Sequence, residues 1–121
     1  MTSGKAWPLA ELIELLAKRG TLTALWELRA GAVAFRGLAT RAGLPDTQVS
    51  QRLHGLREAG LIEVDEAGDY RLTAEGRRLQ GILEQLDAFA QRWSRLTPRQ
   101  RAPRGSATAG RGEPGGQERR P

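Results

Sequence analysis

Side chains that could recognise a nucleic acid are concentrated in one segment, FRGLATRAGLPDTQVSQRLHGLREAGLI (residues 35–62). A helix over residues 47–59 would bury Val49, Leu53 and Leu56, because these apolar side chains recur at helical spacing. Its opposite face would carry Thr, Gln and Ser, which can form hydrogen bonds with base edges, while nearby guanidinium groups can contact phosphates. The candidate DNA-binding residues of this segment are Arg36, Arg41, Thr47, Gln48, Ser50, Gln51, Arg52 and His54.

Two short helices joined by a tight turn are needed to position this face. Apolar residues in positions 35–42 share one side of a first helix, and Gly43 is suited to the left-handed conformation that ends it. Pro45 prevents that helix from continuing, and we expect Asp46 to cap the next one through its side chain. Gly55 is expected on the outer face, where a missing side chain would allow close approach to a groove. The pattern predicts a helix-turn-helix.

A change of period after this motif predicts a β-hairpin, with strands at residues 61–65 and 70–72 and a Gly-containing turn between them. Helix-turn-helix and hairpin together define a mainly α fold with a small β-hairpin wing, the winged helix-turn-helix. The hairpin holds Glu63, Asp65, Glu66 and Asp69 against Arg71, a net charge of −3 over residues 61–72. Such a wing is repelled by phosphates, so it either stands off the duplex or approaches the minor groove through Arg71 alone.

The remaining elements are an N-terminal helix ending at Gly20, a second helix over residues 22–28, a stub strand at residues 32–34 and a closing helix over residues 74–96. Thr73 is a plausible N-cap of the closing helix. Its apolar stripe is longer than a small domain needs, which favours packing against a second copy over packing onto the first helix. The predicted dimer interface comprises Leu9, Leu12, Ile13, Leu16, Ile82, Leu86, Phe89 and Trp93.

Charge and composition divide the chain near Thr97. The chain has 121 residues and a formal net charge of +5, but residues 97–121 contribute +4 and residues 1–96 only +1. Four Pro and five Gly in residues 97–121 predict a disordered Arg/Gly/Pro-rich tail. We therefore expect a winged-helix DNA-binding domain with dimerisation helices in residues 1–96, followed by a tail that adds salt-sensitive affinity for DNA without sequence preference.

Several function classes are disfavoured by the residues that are absent. Without Cys and with a single His, the chain has no disulfide, no thiolate metal site and no expected cofactor. We find no nucleophile paired with a base and no phosphate-cradling loop, so an enzyme is not expected. No apolar run is long enough to span a bilayer, and Glu11 and Glu14 interrupt the apolar residues of the N-terminus, which predicts a cytoplasmic, nucleoid-associated protein without membrane contact.

Three segments resemble the HxlR-type branch of the MarR-like winged-helix regulators: LAKRGTLTALWEL (16–28), QVSQRLHGLREAGLIE (48–63) and YRLTAEGRRL (70–79). The resemblance implies a dimeric bacterial transcription regulator whose terminal helices form the dimer. It also implies DNA-facing roles for residues 47, 48, 50, 51 and 52. The chain departs from the family by lacking the N-terminal cysteine of redox-sensing members, which excludes a thiol switch. It also has Arg19-Gly20 where the family has Lys-Trp.

Two other functions remain open beside a sequence-specific regulator of double-stranded DNA. The weakly charged motif and the acidic wing would also suit a protein-interaction adaptor, whose basic tail attracts nucleic acid non-specifically. An RNA-binding protein is less favoured, because the aromatic residues fall mainly on predicted buried stripes and leave few stacking platforms. Neither the operator nor the identity of any small-molecule effector follows from the sequence.

Overall fold

The computed structural model describes residues 7–101, which fall into two units divided between Glu84 and Gln85. The long fifth helix contributes to both units. The elements are α1 (Pro8–Ala17), α2 (Thr21–Glu27), α3 (Phe35–Ala42), α4 (Asp46–Glu58), β1 (Ile62–Val64), β2 (Tyr70–Leu72), α5 (Ala74–Ser94) and α6 (Pro98–Arg101).

The core of the first unit is built from one apolar stripe of each helix. Leu25 of α2, Leu38 of α3 and Leu56 of α4 are completely buried, and Val49 and Leu53 are nearly so. Burying one such side chain stabilises a fold by about 1.5–3 kcal/mol, so these stripes fix the orientation of the helices that carry them. The predicted stripe of the second motif helix is thereby confirmed.

Strands β1 and β2 form an antiparallel hairpin in which Ile62 pairs with Leu72 and Val64 with Tyr70. In the turn, the Asp65 carboxylate accepts hydrogen bonds from two backbone N–H groups at 2.9 Å. The predicted stub strand is also present, as an isolated bridge in which Val33 and Tyr70 exchange two backbone hydrogen bonds of 2.9 Å. These bonds attach the segment before α3 to the wing.

The start of α5 is capped as predicted, because the hydroxyl of Thr73 accepts a hydrogen bond from the N–H of Gly76 at 3.0 Å. The same hydroxyl donates to the carbonyl oxygen of Gly60 at 2.6 Å, which ties the helix start to the end of the motif. Leu79 and Leu83 then bury one face of α5 in the core of the first unit. None of the described helices is long and apolar enough to cross a membrane.

The second unit holds the end of α5 and the one-turn helix α6. Leu86 and Phe89 of α5 are about half exposed, at 55% and 52%. Helix α6 is capped by Thr97, whose hydroxyl accepts from the N–H of Gln100 at 3.2 Å. The segment predicted to be disordered therefore begins with an ordered turn, and the rest of it, residues 102–121, lies outside the described residues.

One predicted interface residue proves to be part of the core instead. Leu16 is only 9% exposed and packs within the first unit, and Leu12 is partly buried against the same core. Leu9 and Ile13, on the same helix, are each 50% exposed. The repeat of apolar residues along α1 did not reveal which of them face the core, because it continues around more than one side of the helix.

Candidate nucleic-acid interface

The outer face of α4 presents four polar side chains that are not engaged by the protein. All four are exposed, because Val49, Leu53 and Leu56 turn the opposite face into the core. Within residues 7–101 none of their side chains takes part in a hydrogen bond or ion pair, so their donors and acceptors are available to a ligand. These residues are Thr47, Gln48, Ser50 and Gln51.

The turn between α3 and α4 sets the angle at which this face is presented. Gly43 adopts a left-handed conformation with φ of 66°, and its N–H donates to the carbonyl oxygen of Ala39 at 3.1 Å. A side chain other than glycine is strained in this conformation. Leu44 follows and is buried, which anchors the turn to the core.

The predicted capping role of Asp46 is wrong. Pro45 is the N-cap residue of α4, without any side-chain hydrogen bond to the helix, and Asp46 is the first helical residue. Its carboxylate instead accepts two hydrogen bonds from Arg36 of α3, at 3.1 and 2.6 Å. A negative charge at this place still interacts favourably with the positive end of the helix dipole.

The Arg36–Asp46 pair changes the electrostatics at the N-terminus of α4. The hydrogen bonds from Arg36 lower the pKa of the Asp46 carboxyl, and the same hydrogen bonds raise the pKa of Arg36. Both groups are therefore charged at neutral pH, and the predicted phosphate contact Arg36 is already neutralised by a neighbour. Both side chains are more than half exposed, so the pair is open to competition from solvent and ligands.

The other basic residues predicted to contact phosphates also have intramolecular partners. Arg41 forms an ion pair of 2.7 Å with Glu27 of α2. Arg52 donates from Nε to the backbone carbonyl of Arg19 at 2.9 Å, which holds its partly buried stem along the edge of α4. Arg52 keeps its net charge, because its partner is a backbone carbonyl and not a carboxylate.

The two remaining candidates face acidic neighbours. His54 Nε2 lies 3.5 Å from Glu58 one turn further along α4, a contact that is ionic only when the imidazole is protonated. Arg71 Nε lies 2.8 Å from Glu63 on the opposite strand of the hairpin. The one basic residue of the wing, Arg71, is therefore paired with a carboxylate, and the wing as a whole keeps its excess of negative charge.

We expected Gly55 on the outer face of α4, but the structure places it against α1. A Cβ atom built on it would meet the methyl group of Leu15 in α1 at 3.7 Å. Helix α1 therefore covers this flank, and the glycine belongs to a helix–helix contact rather than to a thin DNA-facing surface.

Arg19 is a basic residue beside this surface that the sequence interpretation missed. Its carbonyl oxygen binds Arg52, which places the α1–α2 turn next to the motif, and its own exposed guanidinium has no partner among the described residues. Because 33 positions separate Arg19 from Arg52, no local spacing could have brought the two together. The only feature of the sequence that drew attention to Arg19 was that Arg19-Gly20 stands where the HxlR-type family has Lys-Trp.

Comparison with known proteins agrees with this architecture. The sequence model of the HxlR-like helix-turn-helix family matches residues 15–98. Quinone-bound YodB from B. subtilis has a similar structure, with a TM-score of 0.66 and 22% identity over 72% of this chain and 98% of its own. The transcriptional repressor BigR from Xylella fastidiosa has a TM-score of 0.56 and 28% identity, over 65% of this chain and 82% of its own.

A homodimeric winged helix-turn-helix DNA-binding domain from Mycobacterium bovis is also similar. It has a TM-score of 0.54 and 26% identity, over 72% of this chain and 91% of its own. No curated protein matches the sequence.

The fold is thus a winged helix-turn-helix, the architecture of its transcription-regulator neighbours. The chain belongs to the HxlR-like helix-turn-helix family. Family and neighbours together support a DNA-binding transcriptional regulator.

Proposed function

We propose that the protein is a sequence-specific regulator that binds double-stranded DNA as a homodimer and inserts α4 into the major groove. The observation that carries this proposal is the set of four unengaged polar side chains on the outer face of α4. Gln48 and Gln51 can each pair with adenine through two hydrogen bonds, and Thr47 and Ser50 can donate to or accept from most base edges. These residues would select the sequence.

Phosphate contacts would come from the basic residues around this face. Arg52 is the strongest candidate, because it is held in place without losing its charge to a carboxylate. Arg36, Arg41 and Arg71 would exchange a carboxylate for a phosphate when DNA binds, and His54 would act at the groove edge. Exposed ion pairs contribute little to the stability of the fold, so breaking them does not unfold the chain, but each carboxylate competes with DNA for its arginine.

Dimerisation would use the apolar side chains left exposed on the terminal helices. In the first unit these are Leu9, Ile13 and Ile82, and in the second unit Leu86, Phe89 and Trp93. Exposed apolar residues repeated along one helix face are typical of an interface. The Mycobacterium bovis neighbour is described as homodimeric, which supports the same assembly here. A dimer of this kind reads two half-sites about one helical turn apart, or a multiple of that.

A protein-interaction adaptor remains the second candidate, because Arg36, Arg41 and Arg71 are each paired with a carboxylate. An acidic wing further lowers the attraction of DNA. On this reading the outer face of α4 would dock onto a protein, and the basic tail alone would attract nucleic acid.

Selection from a random pool of duplexes separates the two candidates. We expect the full chain and a chain ending at Arg101 to enrich the same sequence motif, with lower overall affinity for the shorter chain, because the tail adds only salt-sensitive attraction. Enrichment of no motif, with binding that disappears when residues 102–121 are removed, would support the adaptor. A cytoplasmic, nucleoid-associated location and an unidentified small-molecule effector are part of the same proposal.

A further inference from the structure

A pocket of about 290 Å³ lies on the first unit, away from the outer face of α4. The turn after α2 contributes residues 28–32, strand β2 contributes Arg71 and Leu72, and the first turn of α5 contributes Arg77. The turn lies alongside β2 because Val33 and Tyr70 exchange two backbone hydrogen bonds, so that the residues next to them are cross-strand neighbours. The bridge therefore holds this turn beside β2, where the pocket is formed.

Three arginine residues line this pocket and no Asp or Glu does. They are Arg29, Arg71 and Arg77, and the fold brings Arg29 beside the other two, which follow it by 42 and 48 positions in the sequence. Three like charges around one concave site repel one another unless a counter-ion lies between them. An open site of this charge attracts an anion.

Contacts with the protein hold two of these groups in place without neutralising them. Arg29 donates from Nη1 to the carbonyl oxygen of Trp26 at 3.1 Å, and its guanidinium lies 4.9 Å from the centre of the Trp26 ring. Arg77 donates from Nη1 to the carbonyl oxygen of Leu72 at 3.2 Å. Each guanidinium has five N–H donors, and the others have no acceptor within residues 7–101. Donors fixed in this way lose little conformational freedom when a ligand binds.

The third group limits the charge of the ligand. Arg71 is paired through Nε with Glu63, which does not line the pocket. The site therefore offers about two uncompensated positive charges, which suits a phosphate or a dicarboxylate better than a larger polyanion. The volume is at the lower end for ligand pockets, which run from about 300 to 1,000 Å³, and so admits a compact molecule.

We propose that this pocket binds a small free oxyanion, a phosphate ester or dicarboxylic acid of a few carbon atoms. Arg29 and Arg77 hold its oxygen atoms by charge-assisted hydrogen bonds, and Arg71 contacts it from the wing. The bound anion then links three elements, the turn after α2, strand β2 and helix α5. No residue of α4 lines this site, which shares only Arg71 with the proposed DNA contacts.

Titration of the full chain with inorganic phosphate, glycerol 3-phosphate and succinate tests the proposal by calorimetry and by NMR. We expect saturable binding of at least one of these probes. The indole N–H signal of Trp26 should shift because Arg29 lies over its ring, while that of Trp7 should not. Arg29→Gln and Arg77→Gln should each weaken binding by about tenfold, the effect of losing a charge-assisted hydrogen bond.

Arg78→Gln is the matched control, because Arg78 follows Arg77 on the same helix turn but does not line the pocket and is paired with Glu75 at 3.3 Å. It should leave the affinity within about twofold, the spread expected of a surface charge. Binding that is insensitive to Arg29→Gln and Arg77→Gln, for example binding by the basic tail, overturns the proposal. A second result also overturns the proposal: none of the probes binds, while Arg29→Gln and Arg77→Gln, but not Arg78→Gln, weaken duplex binding. The pocket would then hold a DNA phosphate.

Discussion

Arg36 of α3 and Asp46 of α4 are joined by two parallel hydrogen bonds, Nη1 to Oδ1 at 3.1 Å and Nη2 to Oδ2 at 2.6 Å. This pair bridges the two helices of the motif directly beside the polar face of α4. It also masks a cation at the place where a phosphate is expected to bind. On the proposed function, the pair limits DNA affinity, because DNA must compete with Asp46 for Arg36.

Replacing Asp46 by Asn should therefore strengthen DNA binding. With Asp46 no longer competing for Arg36, affinity at low salt should rise several-fold, and the slope of log K against log salt concentration should steepen by up to about 0.9, the value of one full phosphate contact. Fluorescence anisotropy with random-sequence duplexes at several salt concentrations measures both effects. Asp87→Asn is the control, because it removes an equal charge from an exposed position of α5 that forms no ion pair with the described residues. Equal strengthening in both variants would show that net charge, and not the pair, sets the affinity.

Replacing Gln51 by Ala should relax base preference at one position of each half-site. Loss of a two-point contact with a base costs roughly 1–3 kcal/mol of discrimination, and affinity for unrelated sequences should change little. The measurement is a binding profile on duplexes randomised at single positions. Gln85→Ala on α5 is the control, and an unchanged profile for Gln51→Ala would exclude this residue from base reading.

Arg52→Gln should weaken binding to all sequences alike. It should also reduce the slope of log K against log salt concentration by about 0.9, the value of one phosphate contact. Arg52→Lys is informative because it keeps the charge but loses the Nε hydrogen bond to Arg19. We expect Lys to restore the salt slope but not the full affinity. A change of base preference in Arg52→Gln, with an unchanged slope, would mean that Arg52 reads bases.

Two glycines in helices should respond oppositely to alanine. Gly55→Ala should stabilise the fold by about 0.5–1 kcal/mol, because the new methyl group meets Leu15 at ordinary contact distance and glycine is a poor helix former. Gly76→Ala should destabilise it by about 1–3 kcal/mol, because its Cβ would overlap the carbonyl group of Leu61. Urea unfolding measures both. Weaker DNA binding by Gly55→Ala, without a gain in stability, would place Gly55 against the duplex after all.

Phe89→Glu should convert a dimer into a monomer without unfolding the chain. Phe89 is 52% exposed, so the substitution costs little within one chain but places a charge in the proposed interface. Light scattering after size exclusion gives the mass, and circular dichroism checks that the helices remain. Gln91→Glu adds the same charge on the opposite face of α5, where the side chain is also exposed, and should leave the dimer intact. A chain that is monomeric before any substitution contradicts the proposed assembly.

The elements of the first unit were largely predictable because each follows from a local pattern. Val49, Leu53 and Leu56 repeat at helical spacing and therefore share one face of α4. Burying them requires that face to pack against the core. The hairpin follows from a change of period around a glycine-containing turn, and the cap at Thr73 follows from residue type. Each of these features involves residues that are close in sequence.

Pairings between elements could not be predicted in the same way. The partner of Arg36 depends on the angle between α3 and α4, and a favourable capping residue at Asp46 formed an ion pair with Arg36 instead. Gly55 was misplaced because a helical projection gives directions around α4 but not the width of the buried arc. Helix α1 widens that arc by packing Leu15 beside the glycine.

The bridge between Val33 and Tyr70 determines where the molecule tolerates changes of length. Residues added at the hairpin tip, between Asp65 and Asp69, disturb the hydrogen bonds of the turn to Asp65 and lengthen an exposed loop, but they do not reach the core. A single residue added between Val33 and Phe35 would instead rotate the start of α3 against the core or break both backbone bonds to the wing. The wing should therefore tolerate a change of length at its tip better than the segment between the bridge and α3 does.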